Sequence, residues 1–372
     1  MRIRPFGIEQ WMNEWETRCR WNLAETCVDS LTVAELLELA GSPDMAGELG
    51  PMRLGYGAIE GSDRLRAAIG ALYERQAPGN VLVTHGAIGA NHLVHATLVE
   101  PGDRVVTIVP TYQQHASIPE SLGADVRLLW LREERGFRAD LDELRDLVGR
   151  SARLIAVTNP NNPTGALLDR SALETIVSIA DEAGAWLLCD EVYRGLDQQD
   201  PGTTASVADL YQRGISTGSM SKAFSLAGLR LGWIAGPETL LRDVSVHRDY
   251  TTISVGMVDD WLATLALEHV DAVLGRSRRI VRDNLATLER WIGTQPRVSW
   301  VRPQSGTTAL LRVDTTLPSR DLCVRLVEET GVMLTPGSAM DMEGYLRIGY
   351  ANDPAVLEAG LELMGPFLAS LP

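Results

Sequence analysis

Lys222 is the only lysine in a chain of 372 residues, and the other 33 basic residues are arginine. A chain that meets its need for positive charge with arginine has kept one amine. An amine can lose a proton and attack a carbonyl, which a guanidinium cannot. Two hydroxyl residues, Ser219 and Ser221, stand just before it. A glycine-containing turn follows, and Arg230 lies eight residues on, beside the apolar Leu231-Gly232-Trp233.

Other residues capable of chemistry stand at the ends of apolar runs. Asp190 closes the run 185–189, and an acid at the C-terminal end of a strand stands where open α/β sheets bind ligands. Gly86-Ala87-Ile88 follows the apolar residues 81–83 and opens a helical pattern. Small residues at a helix N-terminus leave backbone N–H groups free for a phosphate. Residues 104–109 read as a strand ending in Pro110-Thr111-Tyr112, with Gln113, Gln114 and His115 on the same loop, placed to reach a substrate. The run 154–157 delivers Asn159-Pro160-Asn161-Asn162-Pro163-Thr164-Gly165, whose prolines and glycine enforce a turn. The last such motif is Tyr345-Leu346-Arg347-Ile348-Gly349-Tyr350.

In this order the motifs resemble those of fold type I pyridoxal 5'-phosphate (PLP) enzymes, in the class I and II aminotransferase family, over essentially the whole chain. The resemblance implies that Lys222 forms an imine with the cofactor aldehyde and then serves as general base. It implies that Asp190 pairs with the pyridine nitrogen and that Tyr112 stacks on the ring. Gly86, Ala87, Ile88, Ser219, Ser221 and Arg230 would hold the phosphate, with Ile88 standing where a hydroxyl residue is common. Asn162 and Tyr193 would bond the cofactor's 3'-oxygen. Asn162 and Arg347 would contact the amino acid substrate, Arg347 gripping its α-carboxylate through two parallel hydrogen bonds. Tyr56, in the loop Leu54-Gly55-Tyr56-Gly57, matches a tyrosine that reaches the partner's cofactor phosphate in a homodimer with shared active sites.

One segment departs from the family. Residues 22–31 lack the Gly-x-Pro that many members pass over the substrate, and offer Glu25, Cys27 and Asp29 instead. These could act as an acid, read a polar substrate tail or brace the N-terminal arm, and Glu25 is the candidate substrate contact. The implied chemistry is at Cα of an α-amino acid, through an external aldimine and a quinonoid. Transamination is the first reading. The alternative is carbon–sulfur β-elimination, decarboxylation or cyclisation in specialised (antibiotic) metabolism, on a cysteine conjugate or another polar amino acid. A ligand-sensing domain of a transcription regulator would carry a basic DNA-binding module at its N-terminus, and residues 1–45 lean acidic.

Periodicity supplies the elements that must hold these residues. Trp11, Trp15 and Trp21 among charged residues predict an amphipathic helix over 8–21 with packed tryptophans. A strand is expected at 126–131, then a helix begun by Asp140, with a capping box to Glu143, and closed by Gly149. Further helices are expected over 169–183, 258–269 and 275–293, and strands near 297–301 and 308–313. The βα alternation from 80 to 240 predicts an α/β fold, with a mostly parallel sheet covered by helices on both faces; the resemblance makes it PLP-dependent transferase fold type I. A large PLP-binding domain over 46–275 would be joined by a smaller α+β domain built from 1–45 and 276–372.

Composition narrows the partners. A net charge of -15, from 34 basic and 49 acidic residues, opposes binding to nucleic acid or to anionic membranes. The first residues lack the apolar core of a signal peptide and no later run approaches a membrane span, so a cytoplasmic location is expected. Cys19, Cys27, Cys189 and Cys323 have no metal-ligand spacing, and neither a metal nor a disulfide is expected.

Overall fold

The computed structural model describes residues 2–42, 44 and 46–371. Strand β1 (Trp21–Asn22) is a short stub near the N-terminus. The apolar runs of the middle of the chain become β2 (Val81–His85), β3 (Arg104–Val109), β4 (Asp125–Trp130), β5 (Ala152–Thr158), β6 (Trp186–Asp190), β7 (Gly214–Ser219) and β8 (Leu231–Ala235). The C-terminal part adds β9 (Val298–Trp300), β10 (Thr308–Val313), β11 (Val332–Met333), β12 (Thr335–Pro336) and β13 (Tyr345–Gly349).

Strands β2 to β8 form one sheet in the order β2-β8-β7-β6-β5-β3-β4. Pairing is parallel from β7 across to β4, and β8 is antiparallel to both β7 and β2, so β8 alone is reversed. Successive side chains leave a strand on opposite faces. Ile155, Leu187 and Cys189 accordingly pack in one cluster with Leu144, Leu173 and Ile176 of helices Leu141–Val148 and Arg170–Ala183. Leu154, Leu188, Ile215 and Ile234 pack on the other face with Leu93, Val94 and Leu240 of helices Gly86–Leu98 and Glu238–Arg248. Burial on both faces is why these strands read as continuous apolar runs rather than as alternation.

This topology decides where chemistry can gather. The C-terminal ends of β2, β3, β5, β6 and β7 all meet one edge of the sheet, and each carries one of the motifs. The reversed β8 presents its N-terminal end at that same edge, which is how Arg230, the residue before it, arrives beside Ser219 and Ser221.

Three expectations needed correction. The N-terminal helix spans Gly7–Trp15 and stops well before residue 21. The N–H groups of Arg20 and Trp21 donate to the Gly331 carbonyl at 2.9 and 3.0 Å, and β1 pairs in parallel with β11, so this backbone is committed to the C-terminal part. Asp140 caps its helix by accepting from the N–H groups of Asp142 and Glu143, but the capping box is only half formed, because the Glu143 carboxylate turns to Arg132 instead. The long helix begins at Val270 rather than 275 and runs to Ile292. Trp11 does pack: it is fully buried and its indole N–H donates to the Leu334 carbonyl at 2.8 Å. Strands β12, β13, β10 and β9 form an antiparallel sheet, with Arg347 of β13 opposite Leu310 and Thr335. Among the described residues no helix is long and apolar enough to cross a membrane.

Candidate active site

A cavity of about 440 Å³ opens at that sheet edge, and Lys222 lies on its wall. Its Nζ donates to Thr26 Oγ1 at 2.6 Å and to Cys27 Sγ at 3.4 Å, while the Val28 N–H donates to the Lys222 carbonyl at 3.4 Å. Burial alone would push the ammonium down, but Cys27, Tyr193 and Glu25 overturn this and hold it above the ordinary lysine range. Cys27 is itself pushed up to about 11, first by burial, so near neutrality it is a thiol. The charge facing Lys222 is therefore the Glu25 carboxylate. Burial would raise Glu25, yet Lys222 and the Thr26 and Cys27 N–H groups, which donate to Oε1 at 2.6 and 2.9 Å, keep it below its usual range. A carboxylate so held is an acceptor, not a proton donor. Asp29, the third acid of this segment, points elsewhere and pairs with Arg276 at 2.8 Å, which makes it a brace.

Asp190 stands at the end of β6, 5% exposed. Asn91 Nδ2 donates to its Oδ2 at 2.8 Å and the Val192 N–H to its Oδ1 at 3.2 Å, while Thr217 donates to Asn91 Oδ1 at 2.7 Å and so fixes which end of the amide faces the acid. His115 is fully buried behind it, with Nε2 3.6 Å from Asp190 and Nδ1 3.3 Å from His95 Nε2. The expectation that Gln113, Gln114 and His115 reach a substrate is not met, since none of the three lines the cavity. Gln113 instead holds the N-terminal arm, accepting from the Gly7 N–H and donating to the Pro5 carbonyl, both at 2.9 Å, and Gln114 donates to the Ile88 carbonyl. Tyr112 lines the cavity and donates to Glu9 Oε1 at 2.7 Å, with Phe6 against its ring.

At one end of the cavity the chemistry suits an anion. Gly86 takes a left-handed φ of +64° and starts the helix Gly86–Leu98, so that Ala87 and Ile88 present unbonded N–H groups. Gly232 lets this backbone approach, because a Cβ there would overlap the Gly86 carbonyl carbon and the Ala87 nitrogen. Arg230 sits at φ 48°, a conformation costing a non-glycine residue about 1–3 kcal/mol and met here at the cavity edge. Its Nη1 donates to the Ala227 carbonyl at 2.9 Å and to Ser221 Oγ at 3.4 Å, and among the described residues it meets no carboxylate. Ser219 accepts from the Ser221 N–H at 3.3 Å. Ile88 is 42% exposed and adds no hydroxyl.

Arg347 also lines the cavity, 2% exposed. It donates to Asn162 Oδ1 at 3.3 Å and to the Ala24 carbonyl and Thr335 Oγ1 at 3.1 Å each, but its buried Nε has no partner and among the described residues no carboxylate pairs with it. Burial depresses its pKa. Asn162 Nδ2 donates to the Tyr193 hydroxyl at 3.1 Å, which links these two into the same wall. Tyr56 is 85% exposed and does not line the cavity.

A family model, aminotransferase class I and II, matches residues 32–363. The chain belongs to that family. The chain is 33% identical over 358 residues to capreomycidine synthase from Streptomyces vinaceus, covering 95% of this chain and 91% of that protein. Its fold superposes with TM-score 0.96 on a PLP-dependent aminotransferase from Streptococcus suis, 41% identical and covering 100% of this chain and 99% of the other. A PLP-dependent cyclase, OrfR, superposes with TM-score 0.91 at 28% identity, covering 99% and 98%. The family member described here is thus a fold type I, PLP-dependent enzyme.

The residues present fit the cofactor. The Gly232-dependent cradle with the unpaired Arg230 suits a phosphate, Asp190 offers a fixed carboxylate to a protonated ring nitrogen, and one amine is in place. Several groups escaped the sequence reading. Thr26, Glu9 and Thr217 carry no local signal, since Glu9 meets Tyr112 across 103 residues. Asn91 had one: it is a lone amide in the buried stripe of Ala87, Ala90 and Val94.

Proposed function

We propose that this enzyme is an aminotransferase acting on an α-amino acid, with Lys222 as the base at Cα, Arg347 as the carboxylate anchor and Asp190 as the group that keeps the cofactor ring protonated. Arg347 carries this reading. A buried guanidinium in no direct ion pair costs several kcal/mol, about what breaking a buried pair costs, and one that opens on the cavity holding the only lysine is matched to a ligand carboxylate. When bound, PLP supplies a ring that spreads the charge left at Cα. Lys222 takes and returns the proton, with Thr26 and Cys27 fixing its Nζ. Asn162 and Tyr193 form a joined pair of polar groups for the ring's 3'-oxygen, and Ser219, Ser221, Arg230 and the helix N-terminus hold the phosphate. Tyr112 closes one side of the ring site.

Cyclising or eliminating chemistry is the second reading. It is favoured by the two synthase and cyclase relatives and by the Glu25-Thr26-Cys27 segment set against Lys222. Enzyme mixed with an amino acid and no oxo-acid acceptor separates the two. A transaminase is expected to release one equivalent of oxo acid per site and stop, whereas continued release of ammonia or of a cyclised product without acceptor would decide for the second.

We further infer a homodimer in which Tyr56 serves the partner's phosphate site. Leu54 at 82%, Tyr56 at 85% and Tyr250 at 91% are exposed large side chains of the kind a partner would cover. Sedimentation should find a dimer, and Tyr56→Phe should loosen PLP by about tenfold, the value of one hydrogen bond to a charged group. A fully active monomer would refute this. The free thiols of Cys189 and Cys323 suit a reducing, cytoplasmic setting. Residues 46–275 are inferred to be the cofactor-carrying unit, with 1–45 and 276–372 as the smaller one.

A further inference from the structure

Three carboxylates line the cavity, and the cations that act on them, Lys222 on Glu25 and Arg347 on Glu25 and Glu9, do so without a direct ion pair. Glu9 lies on the helix Gly7–Trp15, Glu16 just past its end and Glu25 beside Lys222, and all three line the cavity. Among the described residues none of the three forms an ion pair, whereas their neighbours Glu14 and Asp29 reach Arg320 at 2.6 Å and Arg276 at 2.8 Å. Oε1 of Glu9 and Oε1 of Glu25 are taken by hydrogen bonds, which leaves the second oxygen of each for a ligand. Glu16 is pushed up by burial and then by the charges of Glu25 and Glu9, so the three groups feel one another. Ile8 and Met12, on the same helix at a spacing of one turn from each other, line the cavity too and add apolar wall beside the acids.

Independently, Arg347 marks where the ligand's carboxylate goes, being buried, open to the cavity and lacking a partner at Nε. Charge can then be followed group by group. The cofactor phosphate answers Arg230, the protonated ring nitrogen answers Asp190, and the substrate's α-carboxylate answers Arg347. Lys222 must give up its charge to act as a base, and Arg347, the other cation that feels Glu25 and Glu9, is matched by the substrate's carboxylate. The carboxylates of Glu9, Glu16 and Glu25 are left unanswered, and an acidic tail there would meet like charges on every side.

We propose that the substrate is a basic α-amino acid, its methylene stem lying along Ile8 and Met12 and its terminal ammonium or guanidinium meeting Glu9 and Glu16. This rests on the amino acid reading of the site. It makes the N-terminal helix the specificity element, and it pairs a long apolar stem carrying a charged head with a wall of the same order.

The test uses the holoenzyme and reads binding by calorimetry and by the visible spectrum, with L-arginine, L-lysine, L-citrulline, L-norleucine and L-glutamate as probes. Citrulline has the shape of arginine without its charge. Arginine or lysine is expected to bind about tenfold or more tighter than citrulline and norleucine, the value of a hydrogen bond between charged groups, with glutamate weakest. Glu9→Gln and Glu16→Gln should each bring the arginine-to-citrulline or lysine-to-norleucine ratio toward one, and Glu16, exposed at the mouth, can be changed without burying anything. Equal binding of charged and neutral tails, or ratios untouched in both variants, would overturn the proposal while leaving the amino acid reading standing. If no amino acid binds at all, the amino acid reading falls and this proposal with it.

Discussion

Replacing Lys222 by alanine is expected to lower turnover by at least about 10²–10⁴-fold, the contribution of a positioned general base, and to abolish attachment of the cofactor. Lys222→Arg should be equally inactive. Arginine keeps the positive charge facing Glu25 but cannot become neutral near pH 7, so it separates a need for charge from a need for a base. Because Lys222 is the only lysine, the attachment test has little ambiguity. Borohydride treatment of the yellow wild type should bleach the visible band, and peptide mapping should place the label on the peptide containing Lys222. Neither variant should take the label. Turnover or labelling retained in either one would remove Lys222 from the centre of the chemistry.

Arg347→Met should divide stability from binding. Losing one partner of a buried, hydrogen-bonded charge pair costs about 2–5 kcal/mol, so the KM for the amino acid should rise by roughly 30-fold to several thousandfold. The free protein, however, carries Arg347 buried and, among the described residues, in no direct ion pair, with Glu25 and Glu9 acting on it only from a distance. Replacing such a group by an apolar side chain of similar length is often neutral or stabilising, and the melting temperature should stay level or rise. Arg347→Lys should not restore the KM, because an ammonium cannot make the two parallel bonds that a carboxylate accepts from a guanidinium. Simple amines, which have no carboxylate to lose, should be little affected. An unchanged KM, or a melting temperature that collapses together with binding, would mean that Arg347 is a structural cation.

Short motifs made much of this legible in one dimension. Asn159 to Gly165 enforces its own turn, Asp190 follows an apolar run that can only be a buried strand, and Gly86 opens a helix after another. Each is a local rule of backbone geometry, and Asn162, Asp190, Ala87 and Ile88 from these three stretches line the cavity. Local rules failed where distant backbone competed. The tryptophan periodicity over 8–21 was a sound helical signal up to Trp15. Beyond it, the hydrogen bonds of residues 20 to 23 went to Gly331 and Met333, and nothing near them in the chain announces such partners.

The class of chemistry follows from residue type and local context alone: one lysine, one acid at a strand end and one arginine in an apolar strand. How the unusual segment 22–31 divides its labour depends instead on long-range packing. Asp29 went to Arg276 and became a brace, while Glu25 was turned toward Lys222, its carboxylate held by two N–H groups. Gly349 is what allows this, since a Cβ there would overlap the Glu25 carbonyl. Tertiary structure also carried Glu9 and Glu16 more than two hundred residues along the chain to the lysine's cavity. Their charge was plain in the sequence. Its lack of a directly paired arginine was not, because the energy of a charge depends on what surrounds it in space, and that is set by how distant segments pack.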